Sequence, residues 1–220
     1  MKTFRPLTTA LALASWLNVS AAAEIITFDN AKIGGPPQGW FSTIDGVGDA
    51  KWAIESDATA PSTPQVLQQS GQASKPSFPL CLLEAPALRD GFVEVKFKTV
   101  SGTNDQAAGV LWRAQDATNY YVCRANALED NVVLYKVVDG KRTALDIIGR
   151  AGGYGVEAKV PPGRWQTLRV EFGGQRFTIW LEGRRLFEVE DATFTAAGKV
   201  GLWTKADSVT RFDDFRCGEK

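Results

Sequence analysis

Hydrophobic and polar residues alternate along most of the chain in short runs, which is the pattern of β-strands with one buried face. The run from Phe92 to Lys98 shows this most clearly, because Val93, Val95 and Phe97 all fall on one side. Eight further runs follow the same pattern: 109–113, 119–126, 132–138, 165–172, 176–182, 185–189, 199–204 and 210–217. The pattern therefore predicts an all-β protein with nine strands, in addition to any in the less regular first third.

Turn-forming residues mark the ends of several runs. Asp139-Gly140, Gly173-Gly174 and Glu182-Gly183 are dipeptides of the kind that close hairpins. No stretch has a sustained helical period with caps at both ends, so we expect little helix, at most a turn or two near residues 191–197. The span 58–79 is rich in Pro, Ser, Thr and Gln, and we expect it to form one long loop.

The first 23 residues have the composition of an export signal. Two basic residues precede an apolar stretch from Leu7 to Val19, and the small residues 20–23 suit cleavage before Glu24. The apolar stretch is shorter than the ~20 residues that span a bilayer, so no transmembrane anchor is expected. We therefore expect a periplasmic or secreted protein, with residues 24–220 forming a single domain.

Charge and composition exclude several classes of function. The chain has 25 basic and 25 acidic residues, without the basic excess that nucleic acid binding needs. It has no histidine, which removes imidazole catalysis and histidine-ligated zinc. Of its three cysteines, Cys81 and Cys123 stand in apolar strand runs and Cys217 is near the end. Buried thiols are favoured over a single disulfide.

Motifs along the chain resemble those of concanavalin A-like, laminin G-like jelly-roll domains. The segments, in matching order, are GVLWR (109–113), NYYV (119–122), LYKVVDG (134–140), WQTLRV (165–170), FTIWLEG (177–183), GKVGLW (198–203) and FDDF (212–215). Within that superfamily the chain is most similar to exported bacterial 3-keto-disaccharide hydrolase-like domains. The resemblance implies a jelly-roll β-sandwich of two antiparallel sheets, one of them concave, and makes a carbohydrate-related function an expectation.

Polar and aromatic residues on the middle strands form the first candidate site. With a period of two, Tyr120, Arg124 and Asn126 share one strand face. The neighbouring strand and the following turn add further polar groups. The candidate substrate-binding set is Arg113, Tyr120, Arg124, Asn126, Glu129 and Asn131. Such groups pair with sugar hydroxyls, and a ring can pack on the C–H face of a pyranose. The alternative is a salt-bridged surface over a sheet.

A second candidate follows the strand run 199–204. Trp203 ends that run, and Lys205, Asp207 and Ser208 come after it in a predicted loop. Loops at strand ends are common places for binding residues. We therefore add Trp203 and Lys205 to the carbohydrate-binding candidates. The alternative is a core tryptophan followed by an ordinary polar turn.

Catalysis is a separate hypothesis. The Glu-x-Asp-x-x-Glu motif of jelly-roll retaining glycosidases is missing, which disfavours that chemistry. The resemblance implies instead the cleavage of 3-keto-glycosides, in which a base removes a proton beside the carbonyl. Glu129 is the candidate catalytic base, with Arg113, Arg124, Lys136 or Lys205 as its electrostatic partner. Carbohydrate binding, 3-keto-glycoside cleavage and binding of a protein partner all stay open.

Three aspartates suggest a calcium site. The first and last strands of jelly rolls are usually neighbours, which would bring Asp29 close to Asp213 and Asp214. Calcium prefers oxygen ligands of this kind, and here it would be structural. The alternative is that these carboxylates accept hydrogen bonds from backbone amides at strand ends. Carbohydrate binding itself requires no cofactor.

Overall fold

The computed structural model describes residues 24–150 and 152–220, so the predicted export signal lies outside the described residues. That part of the chain contains strands and turns but no helix. Its strands are β1 (Ile25–Ile26), β2 (Trp40–Asp45), β3 (Trp52–Ser56), β4 (Gln65–Gln69), β5 (Phe78–Leu83), β6 (Gly91–Ser101), β7 (Ala107–Ala114), β8 (Tyr120–Asn126), β9 (Asn131–Val138), β10 (Lys141–Ala144), β11 (Val156–Glu157), β12 (Gln166–Gly173), β13 (Arg176–Leu181), β14 (Arg184–Glu190), β15 (Lys199–Trp203) and β16 (Val209–Gly218).

Two antiparallel sheets form a jelly-roll sandwich, as expected. Sheet A has the order β14-β13-β12-β6-β16-β4-β3, and β1 pairs with β16 at one side. Sheet B has the order β10-β9-β8-β7-β15-β5-β2, and β11 pairs with β9. All nine predicted runs are strands, namely β6 to β9 and β12 to β16. Among the described residues there is no helix of the length and apolarity that crossing a membrane requires.

The predicted hairpin turns are present. Asp139-Gly140 joins β9 to β10 and Glu182-Gly183 joins β13 to β14, whereas the turn between β12 and β13 lies one residue later than predicted, at Gly174-Gln175, because Gly173 still pairs with Arg176. Glu182 and Gly183 both have positive φ angles, 52° and 70°. Positive φ at both central residues gives the turn a twist that matches the twist of paired strands.

Two expectations about local structure were wrong. Residues 191–197 form no helical turn, because Asp191 accepts a hydrogen bond from the Thr193 amide (2.8 Å) and another from the Tyr121 hydroxyl (2.6 Å). The span 58–79 is not one loop, since it contains β4 and the start of β5. Val66 and Leu67 are fully buried, and β4 pairs with both β3 and β16.

The main core lies between the sheets. Trp112 of sheet B packs against Phe172 and Phe177 of sheet A, with ring centroids 5.8 and 5.3 Å apart. Cys81 and Cys123 are buried in this core, and both thiols are free, as is Cys217. The preference for buried thiols over a bridge is therefore confirmed for the first two cysteines.

Sheet B also encloses apolar side chains on its other face. The strong curl of the sheet is evident from one distance: the Arg142 guanidinium of β10 lies 4.9 Å from the Phe78 ring centroid of β5. In a flat sheet those two strands would be about 24 Å apart, at ~4.8 Å per strand. We call this second apolar cluster the inner cluster of sheet B; its members are Phe78, Leu80, Leu82, Ala107, Leu111, Ala114, Tyr120, Val122, Val133, Tyr135, Val137 and Trp203. The curl thus fills much of the concave face with side chains of the sheet itself.

Candidate functional site

Five of the sequence-predicted residues meet at one end of sheet B. Arg124 and Asn126 lie on β8, Glu129 lies in the turn after it, and Asn131 begins β9. Lys205 reaches the same place through Asp105. We call this set the Arg124 site, and it comprises Asp105, Arg124, Asn126, Glu129, Asn131, Tyr135, Tyr154 and Lys205.

The β8–β9 hairpin creates this arrangement. Asn126 and Asn131 are partners in the strand register, and the Asn126 side-chain oxygen accepts hydrogen bonds from the amides of Leu128 (2.9 Å) and Glu129 (3.3 Å). Asp130 closes the turn with a φ of 48°. An asparagine at this position stabilises a turn with its own side chain, and here it carries Glu129 back over the end of β8.

Arg124 is the centre of the site. Its side chain is fully buried, and its Nη2 donates to Glu129 Oε2 (2.8 Å), Tyr154 Oη (3.0 Å) and Tyr135 Oη (3.2 Å). Its Nη1 donates to Asn131 Oδ1. Its Nε has no partner among the residues that the structure describes. A planar guanidinium with several acceptors fixes the orientation of each of them.

Glu129 is ionised at neutral pH. Burial alone would raise the pKa of Glu129, but Arg124 outweighs that effect, with smaller contributions from Asn131 and Lys205, and the pKa is lowered. About 37% of its side chain is exposed. The site therefore presents an oriented carboxylate to solvent.

A buried pair of charges supports the other side of the site. Asp105 is 2% exposed, and it accepts hydrogen bonds from Asn126 Nδ2 (2.6 Å) and from Lys205 Nζ. Asn126 Nδ2 also donates to Glu129 Oε1 (3.2 Å). The amide group of Asn126 thus connects the buried carboxylate to the exposed one.

The open side of the site combines a ring with a polar groove. Tyr154 is 49% exposed, and its ring packs edge-on against Tyr135 with centroids 5.9 Å apart. A groove of about 540 Å³ begins at Glu129, and its other lining residues are Asp130, Glu157, Ala158, Lys159 and Arg184. An exposed ring, a carboxylate and further charged groups are the chemistry that recognises sugar hydroxyls and C–H faces.

Tyr120 and Trp203 lie elsewhere, which corrects their expected place beside Arg124. Both are fully buried in the inner cluster of sheet B, where Trp203 Nε1 donates to Tyr120 Oη (3.3 Å). Trp203 stacks on Phe78 with centroids 5.1 Å apart. The curl of sheet B covers these rings, so neither is available to a ligand in this structure.

Arg113 is also separate from the site. It has a φ of 49°, which turns its guanidinium towards Phe177 of sheet A, 5.5 Å from the ring centroid. It donates to the backbone oxygens of Arg89 (2.7 Å), Gly174 (2.8 Å) and Phe194 (2.8 Å), and pairs with Asp90 (3.2 Å). The side chain therefore joins three loops at the opposite end of β7.

Lys136 is a further residue that lies apart. It pairs with Asp191 at 2.8 Å and does not contact Glu129. Of the four proposed electrostatic partners of Glu129, only Arg124 and Lys205 therefore belong to the Arg124 site.

β1 pairs with β16, as expected of the first and last strands, and Asp29 is near enough to Asp213 to help raise its pKa. Asp213 accepts hydrogen bonds from the amides of Ser62 (2.8 Å) and Asp214 (2.7 Å), and Asp214 accepts from Ser62 Oγ (2.6 Å) and Lys96 Nζ (2.7 Å). The described residues contain no group of three side chains placed to hold a metal ion. These contacts favour the alternative of hydrogen bonding at strand ends, and structural calcium stays a prediction.

Sequence reasoning missed three members of the site. Tyr135 had a usable signal, because the period of two places it on the same face of β9 as Asn131. Asp105 and Tyr154 lie in irregular segments, where no periodicity says which side chains point to which sheet. Only the fold brings them to Arg124.

Comparison with known proteins identifies the family. The model of the 3-keto-alpha-glucoside-1,2-lyase-like domain matches residues 38–217, which is most of the chain. The chain belongs to this family. Among curated protein sequences none matches it significantly.

Solved structures agree with the fold. The chain is similar to carbohydrate-binding module CBM66 from Bacillus subtilis (TM-score 0.61, 20% identity, covering 85% of this chain and 97% of the module). It is similar to the cellulose induced protein Cip1 (TM-score 0.65, 13% identity, 90% and 97% covered). It is also similar to a β-glucanase from Bacillus licheniformis (TM-score 0.55, 12% identity, 91% and 99% covered). At these identities the likeness establishes the jelly-roll fold.

Proposed function

We propose that this domain binds carbohydrate at the Arg124 site. The observation that carries the proposal is the Glu129 carboxylate, which is partly exposed but held in a fixed orientation by the buried Arg124. Tyr154, whose ring is exposed, is held by the same guanidinium, because Arg124 Nη2 donates a hydrogen bond to its hydroxyl oxygen (3.0 Å). A sugar would hydrogen-bond to the carboxylate and pack a C–H face on the ring.

Family membership and the similar structures support this proposal. The family is described by a glucoside-cleaving activity, and one structural neighbour is a carbohydrate-binding module. The groove beyond Glu129 has a volume of about 540 Å³ and is lined mainly by charged residues. A polar lining suits a polyhydroxylated ligand better than an apolar one.

Calorimetric titration against neutral oligosaccharides and methyl 3-keto-α-glucoside tests the proposal. Tyr154→Ala removes the ring, and we expect it to weaken binding about tenfold. Tyr154→Phe is its matched control, because it keeps the ring and loses only the hydroxyl. Equal losses for both variants would contradict packing of the sugar on the ring, and an unchanged affinity for Tyr154→Ala would contradict binding at this site. Silence of the wild-type protein across the panel would favour the alternative of a protein partner.

A second candidate function is the cleavage of 3-keto-α-glucosides. Two observations favour it, namely the family description and the position of an ionised Glu129 beside two cations, Arg124 and Lys205. In such a reaction Glu129 would take the proton from C2, beside the C3 carbonyl, and the cations would stabilise the enolate oxygen. Breaking the C1–oxygen bond would then form a C1–C2 double bond and release the leaving group, which takes the proton that Glu129 removed, directly or through a water molecule, and so restores the Glu129 carboxylate.

Mass spectrometry of the products separates the two candidate functions. If the protein is a lyase, it converts methyl 3-keto-α-glucoside and releases methanol, and Glu129→Gln abolishes turnover but keeps binding. If it only binds, the wild-type protein leaves the compound intact. Turnover that survives Glu129→Gln would reject Glu129 as the base.

Export to the periplasm or the medium is also part of the proposal. It rests on the basic residues, apolar stretch and small residues of segment 1–23. N-terminal sequencing of the protein recovered from outside the cytoplasm should begin at Glu24. Recovery of the intact N-terminus from the cytoplasm alone would contradict export.

A further inference from the structure

The carboxylate of Asp207 holds the loop before β7 in place. It accepts hydrogen bonds from the backbone amides of Thr103 (2.8 Å), Asn104 (3.0 Å) and Asp105 (3.0 Å), and another from Thr103 Oγ1 (2.9 Å). Burial alone would raise the pKa of Asp207, but these donors, led by the Asn104 amide, lower it to about 2. Three successive amides converging on one carboxylate form a compact anion-binding loop.

The segment that carries Asp207 is itself fixed to the sheets. Ser208 Oγ accepts from the Ala107 amide (3.0 Å) and donates to the Lys205 carbonyl (2.6 Å). Ala206 is fully buried, has a φ of 51°, and donates its amide to the Ser77 carbonyl (3.0 Å). Asp207 therefore extends from a rigid segment to a loop that has no strand pairing of its own.

This loop and this segment supply two residues of the Arg124 site. Asp105 is the third residue whose amide Asp207 binds, and Lys205 lies two positions before Asp207. Asp105 and Lys205 form a buried ion pair, and Asp105 orients Asn126. Asn126 in turn donates to Glu129. A continuous series of contacts thus runs from Asp207 to the exposed carboxylate.

We propose that Asp207 is a positioning residue of the Arg124 site: by fixing the 103–105 loop against the Lys205 segment, it sets the place of Asp105, and through Asn126 the place of Glu129. The effect of Asp207 on ligand binding rests on the proposed function. Its effect on the positions of Asp105, Asn126 and Glu129 does not, and can be tested without a ligand. Asp207 itself has no contact with Arg124, Glu129 or Tyr154 among the contacts of the described residues.

NMR of Asp207→Ala, with Asp207→Asn beside it, tests the geometric part without ligand. In Asp207→Ala the loop amides lose their acceptor, so we expect the Asn126 side-chain amide signals to move. We also expect the pKa of Glu129 to shift towards its ordinary value, because Lys205 helps to lower it. Asp207→Asn keeps one acceptor oxygen and should show a smaller change.

Asp116→Ala is the matched control. Asp116 also accepts hydrogen bonds within its own turn, from the Thr118 amide (2.7 Å) and hydroxyl (2.9 Å), but it lies at the other end of β7. We expect similar small losses of thermal stability in Asp116→Ala and Asp207→Ala, with the NMR changes at Asn126 and Glu129 only in the latter. Unchanged Asn126 signals and an unchanged Glu129 titration in Asp207→Ala would overturn the proposal.

Titration with methyl 3-keto-α-glucoside tests the functional part. If the wild-type protein binds it, Asp207→Ala should weaken the affinity about tenfold and Asp116→Ala should not. Equal affinities of Asp207→Ala and wild type would overturn the functional part. If the wild-type protein does not bind this probe, the choice of ligand in the proposed function fails, while the NMR comparison still decides the positioning role.

Discussion

Arg124 and Glu129 form an ion pair whose two partners differ in exposure. Nη2 and Oε2 are 2.8 Å apart, the guanidinium is fully buried, and 37% of the carboxylate side chain is exposed. Removing Glu129 would leave the buried Arg124 charge without its ionic partner, which is costly, so the folded protein strongly favours the paired arrangement. The exposed carboxylate keeps a fixed direction without help from a ligand, which reduces the ordering that binding requires.

The pair should make part of the stability depend on pH. Because the folded-state pKa of Glu129 lies below its ordinary value, its contribution is present above pH 4.5 and is lost as the pH falls through the folded-state pKa. Glu129→Gln lacks the charge, and we expect it to be less stable at pH 7 by roughly 1–3 kcal/mol. Urea unfolding of both proteins from pH 7 to pH 3 should show the difference shrinking in acid. A constant difference would contradict the ion pair.

Asp213 should lower the stability of the protein as the pH rises from about 4 to about 7. Burial raises its pKa to about 7, and Asp214 and Asp29 add to the rise, although the amides of Ser62 and Asp214 oppose it. Since the folded state prefers the protonated form, the contribution of Asp213 to stability is fully present below the ordinary value of 3.8 and is lost as the pH rises to about 7. Asp213→Asn resembles the protonated form and should remove this fall.

Thermal unfolding between pH 4 and pH 8 measures the effect of Asp213. The chain has no histidine, so no imidazole titrates in this range. We expect the melting temperature of the wild-type protein to decrease relative to Asp213→Asn by about 5 °C or more across the range. Parallel curves for the two proteins would show that Asp213 is ionised throughout.

Alternation along the strands was sufficient to predict the all-β class and nine of the strands, while the jelly-roll arrangement of the sheets was implied by the family resemblance. Tyr121, Cys123 and Ala125 alternate along β8 with the face that carries Tyr120 and Arg124, and all three lie in the core between the sheets. This worked because a strand has only two faces and the core takes one of them. The expectation of a helical turn at residues 191–197, which did not rest on alternation, was wrong, because the Asp191 side chain accepts a hydrogen bond from the Thr193 amide there.

The candidate site could be predicted only in part. Alternation placed Tyr120 and Arg124 on one face of β8, and this is correct, yet the curl of sheet B buries Tyr120 and leaves the Arg124 end accessible at Glu129. The curvature of a sheet depends on all of its strands together, so the sequence of a single strand does not reveal it. Arg113 was misplaced because its positive φ reverses the direction that strict alternation gives.

Arg113 should contribute to stability and not to binding. Its guanidinium donates to three backbone carbonyls and to Asp90, and only 1% of the residue is exposed. Lysine cannot reach all of these acceptors, so Arg113→Lys should destabilise the protein by roughly 2–4 kcal/mol. Urea unfolding checks the loss, and titration with a ligand at low temperature checks binding. A large loss of affinity with unchanged stability would contradict this prediction and show that Arg113 takes part in binding.

Gly102 should be essential for the geometry of the Arg124 site. It has a φ of 147°, and a Cβ there would overlap the backbone oxygen of Asp105. Gly102→Ala must therefore move the loop that Asp207 holds, and with it the Asp105 carboxylate that orients Asn126. We expect a stability loss of roughly 1–3 kcal/mol, together with shifts of the Asn126 side-chain amide signals like those of Asp207→Ala.

Gly163→Ala separates the effect of overlap from that of backbone conformation. Gly163 has a φ of 71°, but a Cβ there would meet no atom within 4 Å. This control should therefore lose stability from the unfavourable φ alone and leave the Asn126 signals in place. If Gly102→Ala and Gly163→Ala perturb Asn126 equally, the 103–105 loop does not set the position of Asn126. If only Gly102→Ala moves the Asn126 signals, the 103–105 loop is the element through which Asp207 acts. Both substitutions place alanine at a positive φ, but only the one at Gly102 pushes against the backbone oxygen of Asp105.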